Sequence, residues 1–223
     1  MVISDKVIRQ IEKEAKKYFV GASGCHDWTH VERVKNLALN IGKQEKADAQ
    51  ILEIVALLHD IGRRDEMKAK GKFCHAERSA EIAEKFLRKL KISEDDIKNI
   101  IHCIITHRYR DERIPETIEA KIFFDADKLD SIGAVGIGRD FLFAGNAGSN
   151  TMYTGNEKKI IDSGKVRDYT FSKEDSALLE YEFKLKNIKN KLLTKGGKKI
   201  GRERHKFMVE FFKRFWEEVE GKK

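Results

Sequence analysis

Proline is nearly absent: Pro115 stands alone in 223 residues. That excludes collagen-like, mucin-like and proline-rich linker chains. Cysteine is scarce and odd in number, with three and none at zinc-finger spacing. This argues against a disulfide framework and against thiolate ligation, and a chain of this length builds its core without staples. No apolar run approaches the roughly 18 residues that a membrane span needs. The opening stretch MVISDKVIRQIEKEAKKYF carries charges every few positions, unlike a signal-peptide core. The expectation is a cytoplasmic protein with no membrane partner. Alternating apolar and polar residues are also missing, so no sheet is expected.

Apolar residues make up 40% of the chain and charged residues 37%. The apolar ones recur in helical rows, which excludes continuous disorder. The length suits one full-sized domain, or one domain with a small appendage. Helices are expected at 4–18, 28–42, 47–61, 75–90, from Ser93 onward, at 116–130, and in two long C-terminal segments near 173–194 and 199–219. The segment at 47–61 is apolar almost all round, as befits a buried central helix ended by Gly62. Ser93 with Asp96 reads as a capping pair. A loop is expected at 63–74. Residues 145–168 are rich in glycine and polar side chains, and read as a mobile loop: either a lid or a plain surface connection. The result is an all-α single domain, 1–223, with its core near 22–140 and two added C-terminal helices.

Basic residues exceed acidic ones by 45 to 37, a net charge of +8. The excess gathers between Lys184 and Lys206, which fits either a solvated helix face or a surface for anions. Six of seven histidines lie between 26 and 107. Residues three or four apart share a helix face. On that rule His30, His59, His75 and His107 each fall on the apolar side of a different helix. Asp60 follows His59 directly, at the end of the most apolar segment, where an unpaired carboxylate is costly. Asp127 lines up with Ala120 and Phe123, with Asp130 one turn further on. Imidazole and carboxylate without paired thiols suit Mn, Mg, Fe, Co, Ni or Zn at an open, water-bearing site.

His30 within HDWTHVERV, the doublet His59-Asp60, and Asp127 within DADKLDSIGAVG reproduce a His…His-Asp…Asp order. In this the chain resembles the HD-domain superfamily of metal-dependent phosphohydrolases, in the subgroup described as predicted HD-superfamily hydrolases. The likeness covers about residues 22–140, with a looser match around Thr194, Arg204, Phe207 and Met208. It implies an all-helical fold, a divalent metal held by His30, His59, Asp60 and Asp127, and hydrolysis of a phosphate ester. The substrate would be a small phosphorylated metabolite, a nucleotide first. Asp60 would ligate and orient the attacking water, or bridge two ions.

Arg33, one helical turn past His30, or Lys128 would clamp phosphate; Arg33 equally fits a surface ion pair. His26 reads as a residue behind the ligands or as a helix cap. Some members of the superfamily hold two ions. Here the adjacent histidine pair used for the second is missing, and His102 and His107 lie about 140° apart around a helix. One tight ion is expected, with His75, His107, His102, His26 and Asp130 as candidates for the substrate pocket or a weaker second site. Two other readings compete. One is an iron-dependent oxygenase on the same fold; the other is a metal-stabilised helical module that binds nucleic acid through residues 184–206.

Overall fold

The structure is a computed structural model, and it describes residues 3–22, 24–69, 72–108, 113–146, 148–164 and 176–223. Among these there is no strand; the chain is all-α. It forms two compact units. The first comprises residues 1–127 with Leu193–Gly197, and the second Lys128–Leu192 with Lys198–Lys223.

The first unit runs through α1 (Asp5–Lys16), a 3-10 turn (Gly24–His26), α2 (Trp28–Glu45), α3 (Ala49–Leu58), α4 (Arg63–Lys68), α5 (His75–Lys89), α6 (Glu94–Thr106) and most of α7 (Ile118–Asp130). Its centre is α3. Ile51, Leu52 and Ile54–Leu58 are all buried, as the all-round apolar pattern requires. Neighbours α1, α2 and α6 enclose this helix. Each such aliphatic side chain contributes roughly 1.5–3 kcal/mol by leaving water, so the helix that ends at His59-Asp60 is firmly anchored.

Helix starts are set by local chemistry. Asp27 accepts the backbone N–H of His30 and caps α2; the cap is therefore Asp27, not its neighbour His26. Ser93 accepts the N–H of Asp96 at the start of α6, as the sequence suggests. Gly62 ends the turn after α3 and has a second role. A Cβ there would lie 2.6 Å from the backbone nitrogen of Ser79 and 2.8 Å from the carbonyl of His75. Only glycine lets this turn press against α5, and Ser79 Oγ fixes it by accepting the Gly62 N–H at 2.9 Å.

The second unit holds the end of α7, α8 (Gly133–Asn146), α9 (Glu157–Asp162), α10 (Ala177–Phe183), a 3-10 segment (Leu185–Asn190) and the body of α11 (Lys195–Val219). Tyr181 stacks on Phe212 at 4.1 Å, and Phe141 meets Phe215 at 6.0 Å. Three expectations need correction. The segment read as a loop at 63–74 opens with the helix α4. The segment read as one loop at 145–168 contains α9, whose buried Glu157 accepts the N–H groups of Thr154 and Gly155. The first long C-terminal segment is not one helix: α10 gives way at Lys184 to the 3-10 segment. Parts of the latter two segments, Ala147, 165–168 and 173–175, lie outside the described residues, as do Lys70 and Gly71 in the expected loop at 63–74.

Candidate metal centre

Six parts of the first unit bring their polar ends together. His26 ends the 3-10 turn, His30 lies in the first turn of α2, and His59 and Asp60 follow α3. His75 is the first residue of α5, His107 the residue after α6, and Asp127 lies near the end of α7. His30, His59, His75, His107 and Asp60 are at most 3% exposed. The Asp127 and His26 side chains are 16% and 30% exposed, so water reaches the cluster on their side.

Asp60 is the hub. Its Oδ2 lies 3.9 Å from His30 Nε2, 3.8 Å from His59 Nε2 and 3.5 Å from His26 Nδ1. Its Oδ1 lies 3.1 Å from His75 Nε2 and 3.9 Å from His107 Nε2. Asp127 Oδ1 approaches His30 Nε2 at 3.6 Å. Three overlapping groups of donor atoms result, each compact enough for one ion: His26-His30-Asp60, His30-His59-Asp127 and Asp60-His75-His107.

The hydrogen-bond chemistry fits a cation. His59 Nδ1 meets the carbonyl of Ala56 at 2.8 Å, and His107 Nδ1 the carbonyl of Ile104 at 2.6 Å. A carbonyl only accepts, so both Nδ1 atoms carry the proton and both Nε2 atoms present a lone pair. His59 Nε2 then sits 3.3 Å from His30 Nε2, and His107 Nε2 3.3 Å from His75 Nε2. Asp60 Oδ1 and His26 Nδ1 are buried without a hydrogen-bond partner. Such orphaned, electron-rich atoms cost free energy unless a cation gathers them.

Protonation states agree. Burial pushes His59 down and His107 well below the ordinary histidine range, so both are neutral near pH 7. Burial likewise brings His26 down to about 4. Burial works to raise Asp60, but Arg63, His59 and the adjacent His26 and His75 outweigh it and hold the carboxyl well below its usual range. Neutral imidazoles around an ionised carboxylate form a ligand set that has no protons to shed.

These shifts give a pH dependence. In the unfolded chain the histidines titrate near 6.5, whereas in the fold His26 titrates near 4. Between those values the unfolded state binds more protons, so stability falls as pH falls. The melting temperature of chelated protein should drop steadily from pH 6.5 to 4.5. A flat profile across that range in calorimetry would contradict the buried, neutral assignment.

Two residues of the centre escaped the sequence reading. Arg63 Nε donates to Asp60 Oδ2 at 2.8 Å, and Glu66 Oε2 accepts from His75 Nδ1 at 2.8 Å. Both lie one or two turns past Asp60, and the i, i+3 spacing of Asp60 and Arg63 was the available signal. Two candidates lie elsewhere. His102 Nε2 accepts the N–H of Glu116 at 3.0 Å and belongs to none of the three donor groups. Asp130 lies in the second unit and pairs with Arg139 at 2.6 Å. Arg33 Nη1 donates to Thr29 Oγ1 at 2.8 Å, and Lys128 is half-buried at the start of the second unit. No cysteine joins a donor group among the described residues, and burial pushes the Cys103 thiol up to about 12. In the basic stretch, Lys184 and Lys186 pair with Glu180 and Glu182 one turn back, as a solvated helix face does. Among the described residues no helix is long and apolar enough to cross a membrane.

Known proteins resemble this chain along nearly its whole length. The HD domain family model matches residues 27–132. YpgQ of Bacillus subtilis is 30% identical over 220 residues, covering 97% of this chain and 95% of its own. The crystal structure of YpgQ in complex with ADP superposes with a TM-score of 0.71 at 29% identity, covering 96% of this chain and 95% of that one. An HD-superfamily hydrolase from Bacillus thuringiensis has a TM-score of 0.70 at 27% identity, covering 96% and 97%. With its all-helical fold and its buried His/Asp cluster able to hold a metal, the chain belongs to the HD-domain superfamily.

Proposed function

We propose that this protein is a metal-dependent phosphohydrolase acting on a small phosphorylated metabolite, most naturally a nucleotide. The observation that carries the reading is the buried Asp60 carboxylate with neutral Nε2 lone pairs on both sides of it. His30, His59, Asp60 and Asp127 would hold the tighter ion. Asp60 with His75 and His107 would form the weaker second site. A divalent cation supplies two things to phosphate-ester hydrolysis: it acidifies water and offsets phosphoryl charge.

The rest is the work of this chain's own residues. Burial keeps His59 and His107 unprotonated, and Arg63 keeps Asp60 ionised. The Arg63 guanidinium, desolvated yet held charged beside Asp60, adds fixed positive potential for an anionic substrate. Arg33 and Lys128 are further cations for phosphate. The partly exposed edge at His26 and Asp127 is where substrate and water would enter. The ADP held by YpgQ supports a nucleotide as the class to try first.

The test is a phosphate-release screen over nucleotides and cyclic nucleotides with Mn, Mg, Co and Ni, before and after chelation. Release that vanishes with chelator and returns with added metal is expected. Release that is indifferent to chelator, or none from any phosphate ester, would end the reading.

A further inference from the structure

Glu66 stands between a charged arginine and a candidate ligand. Its Oε2 is 2.8 Å from His75 Nδ1, and its Oε1 accepts the His75 backbone N–H at 3.3 Å and Arg108 Nη1 at 2.8 Å. Paired with the Arg108 guanidinium, the Glu66 carboxylate only accepts, so the proton of its contact with His75 resides on Nδ1. Arg108 Nη1 also lies 3.2 Å from that nitrogen. The shorter carboxylate contact decides the tautomer: Glu66 has no donor, and Arg108 Nη1 already donates to Glu66 Oε1 at 2.8 Å.

We propose that Glu66, held by Arg108, is a positioning residue that locks the His75 ring with Nδ1 protonated and aims its Nε2 at Asp60 Oδ1 and His107. The lock acts on the Asp60-His75-His107 side of the cluster and leaves the His30-His59-Asp127 side untouched. His59 and His107 are oriented differently, each by a backbone carbonyl of its own helix. His75, at the start of its helix, is met at Nδ1 by a side chain instead. Removing a partner that orients a ligand costs roughly 10–100-fold in metal affinity. This inference rests on the metal reading above.

The experiment uses the full-length chain, chelated and dialysed, in wild-type, E66A and E66Q forms. Two readouts are needed: Mn2+ titration by calorimetry, and 15N chemical shifts of the His75 imidazole in the metal-free protein. Wild type should show a protonated Nδ1. E66A should weaken the lower-affinity Mn2+ event 10–100-fold, leave the tighter event within about twofold, and lose the Nδ1-protonated signature. E66Q is close to isosteric and keeps one accepting oxygen, so it should fall between them with wild-type folding. Unchanged Mn2+ events in both variants, equal weakening of the two events, or an unprotonated His75 Nδ1 in wild type would overturn the proposal. Wild type that binds no Mn2+ while showing a protonated His75 Nδ1 would overturn the metal reading instead and leave the tautomer assignment standing.

Discussion

Asp60→Asn should abolish hydrolysis and lower metal affinity by more than the roughly 100-fold that loss of a merely supporting partner costs. The substitution keeps the volume of the side chain and removes its charge. Both sides of the cluster lose at once, because the two Asp60 oxygens face different histidines. The asparagine also leaves Arg63 beside a neutral group, a buried cation without its counter-ion. Some loss of stability is therefore expected, but α3 and its apolar neighbours remain, and circular dichroism should still report a helical fold. Wild-type turnover in Asp60→Asn would remove the hub from the mechanism.

The second large effect separates two aspartates that sit two residues apart. Asp127 faces His30, whereas Asp125 is completely buried and accepts hydrogen bonds from Leu193 N, Thr194 N and Thr194 Oγ1 at 2.6–2.8 Å. The chain at 194–197 is tied to α7 by that carboxylate, and a Cβ at Gly197 would collide with it. Asp127→Asn should thus lose metal affinity and turnover with little change in melting temperature. Asp125→Asn places an amide where the neighbours are donors and should cost about 1–3 kcal/mol of stability, or several degrees in melting temperature. Metal titration and calorimetry on both variants decide the matter. Similar losses of metal affinity with equal melting shifts would contradict this division of labour.

That division was half legible in the sequence. A 100° step per residue puts 125 and 127 on different sides of a helix, and the apolar row through Ala120 and Phe123 shows which side faces inward. It does not show that Asp125 is buried as well, because its partners at 193 and 194 are distant in the chain. The same limit applies to the histidines. His30, His59, His75 and His107 could each be placed on an inward face by local spacing. Their pairing into His30–His59 and His75–His107 contacts is a tertiary fact, and so is the placing of His75 and His107 on one oxygen of Asp60. His102 shows the converse. It lies five residues before His107 in a helical region, and its nitrogen serves the loop at Glu116. Arg63 and Glu66 give little signal in the sequence, because charged residues in a segment that reads as loop look like surface. The short helix α4 gives them a fixed direction. At the C-terminus the apolar rhythm of α10 continues through Leu185 and Ile188, so periodicity alone cannot see that the backbone turns at Lys184.

The central claim is that the Asp60-centred cluster works only with a divalent cation. The most direct measurement is phosphate release from the best nucleotide of the screen, followed as Mn2+ is titrated into chelated protein with metal content measured in the same samples. Release that rises from nothing in proportion to bound metal, in wild type but not in Asp60→Asn, is the expected result. Full release from protein shown to contain no metal would contradict it.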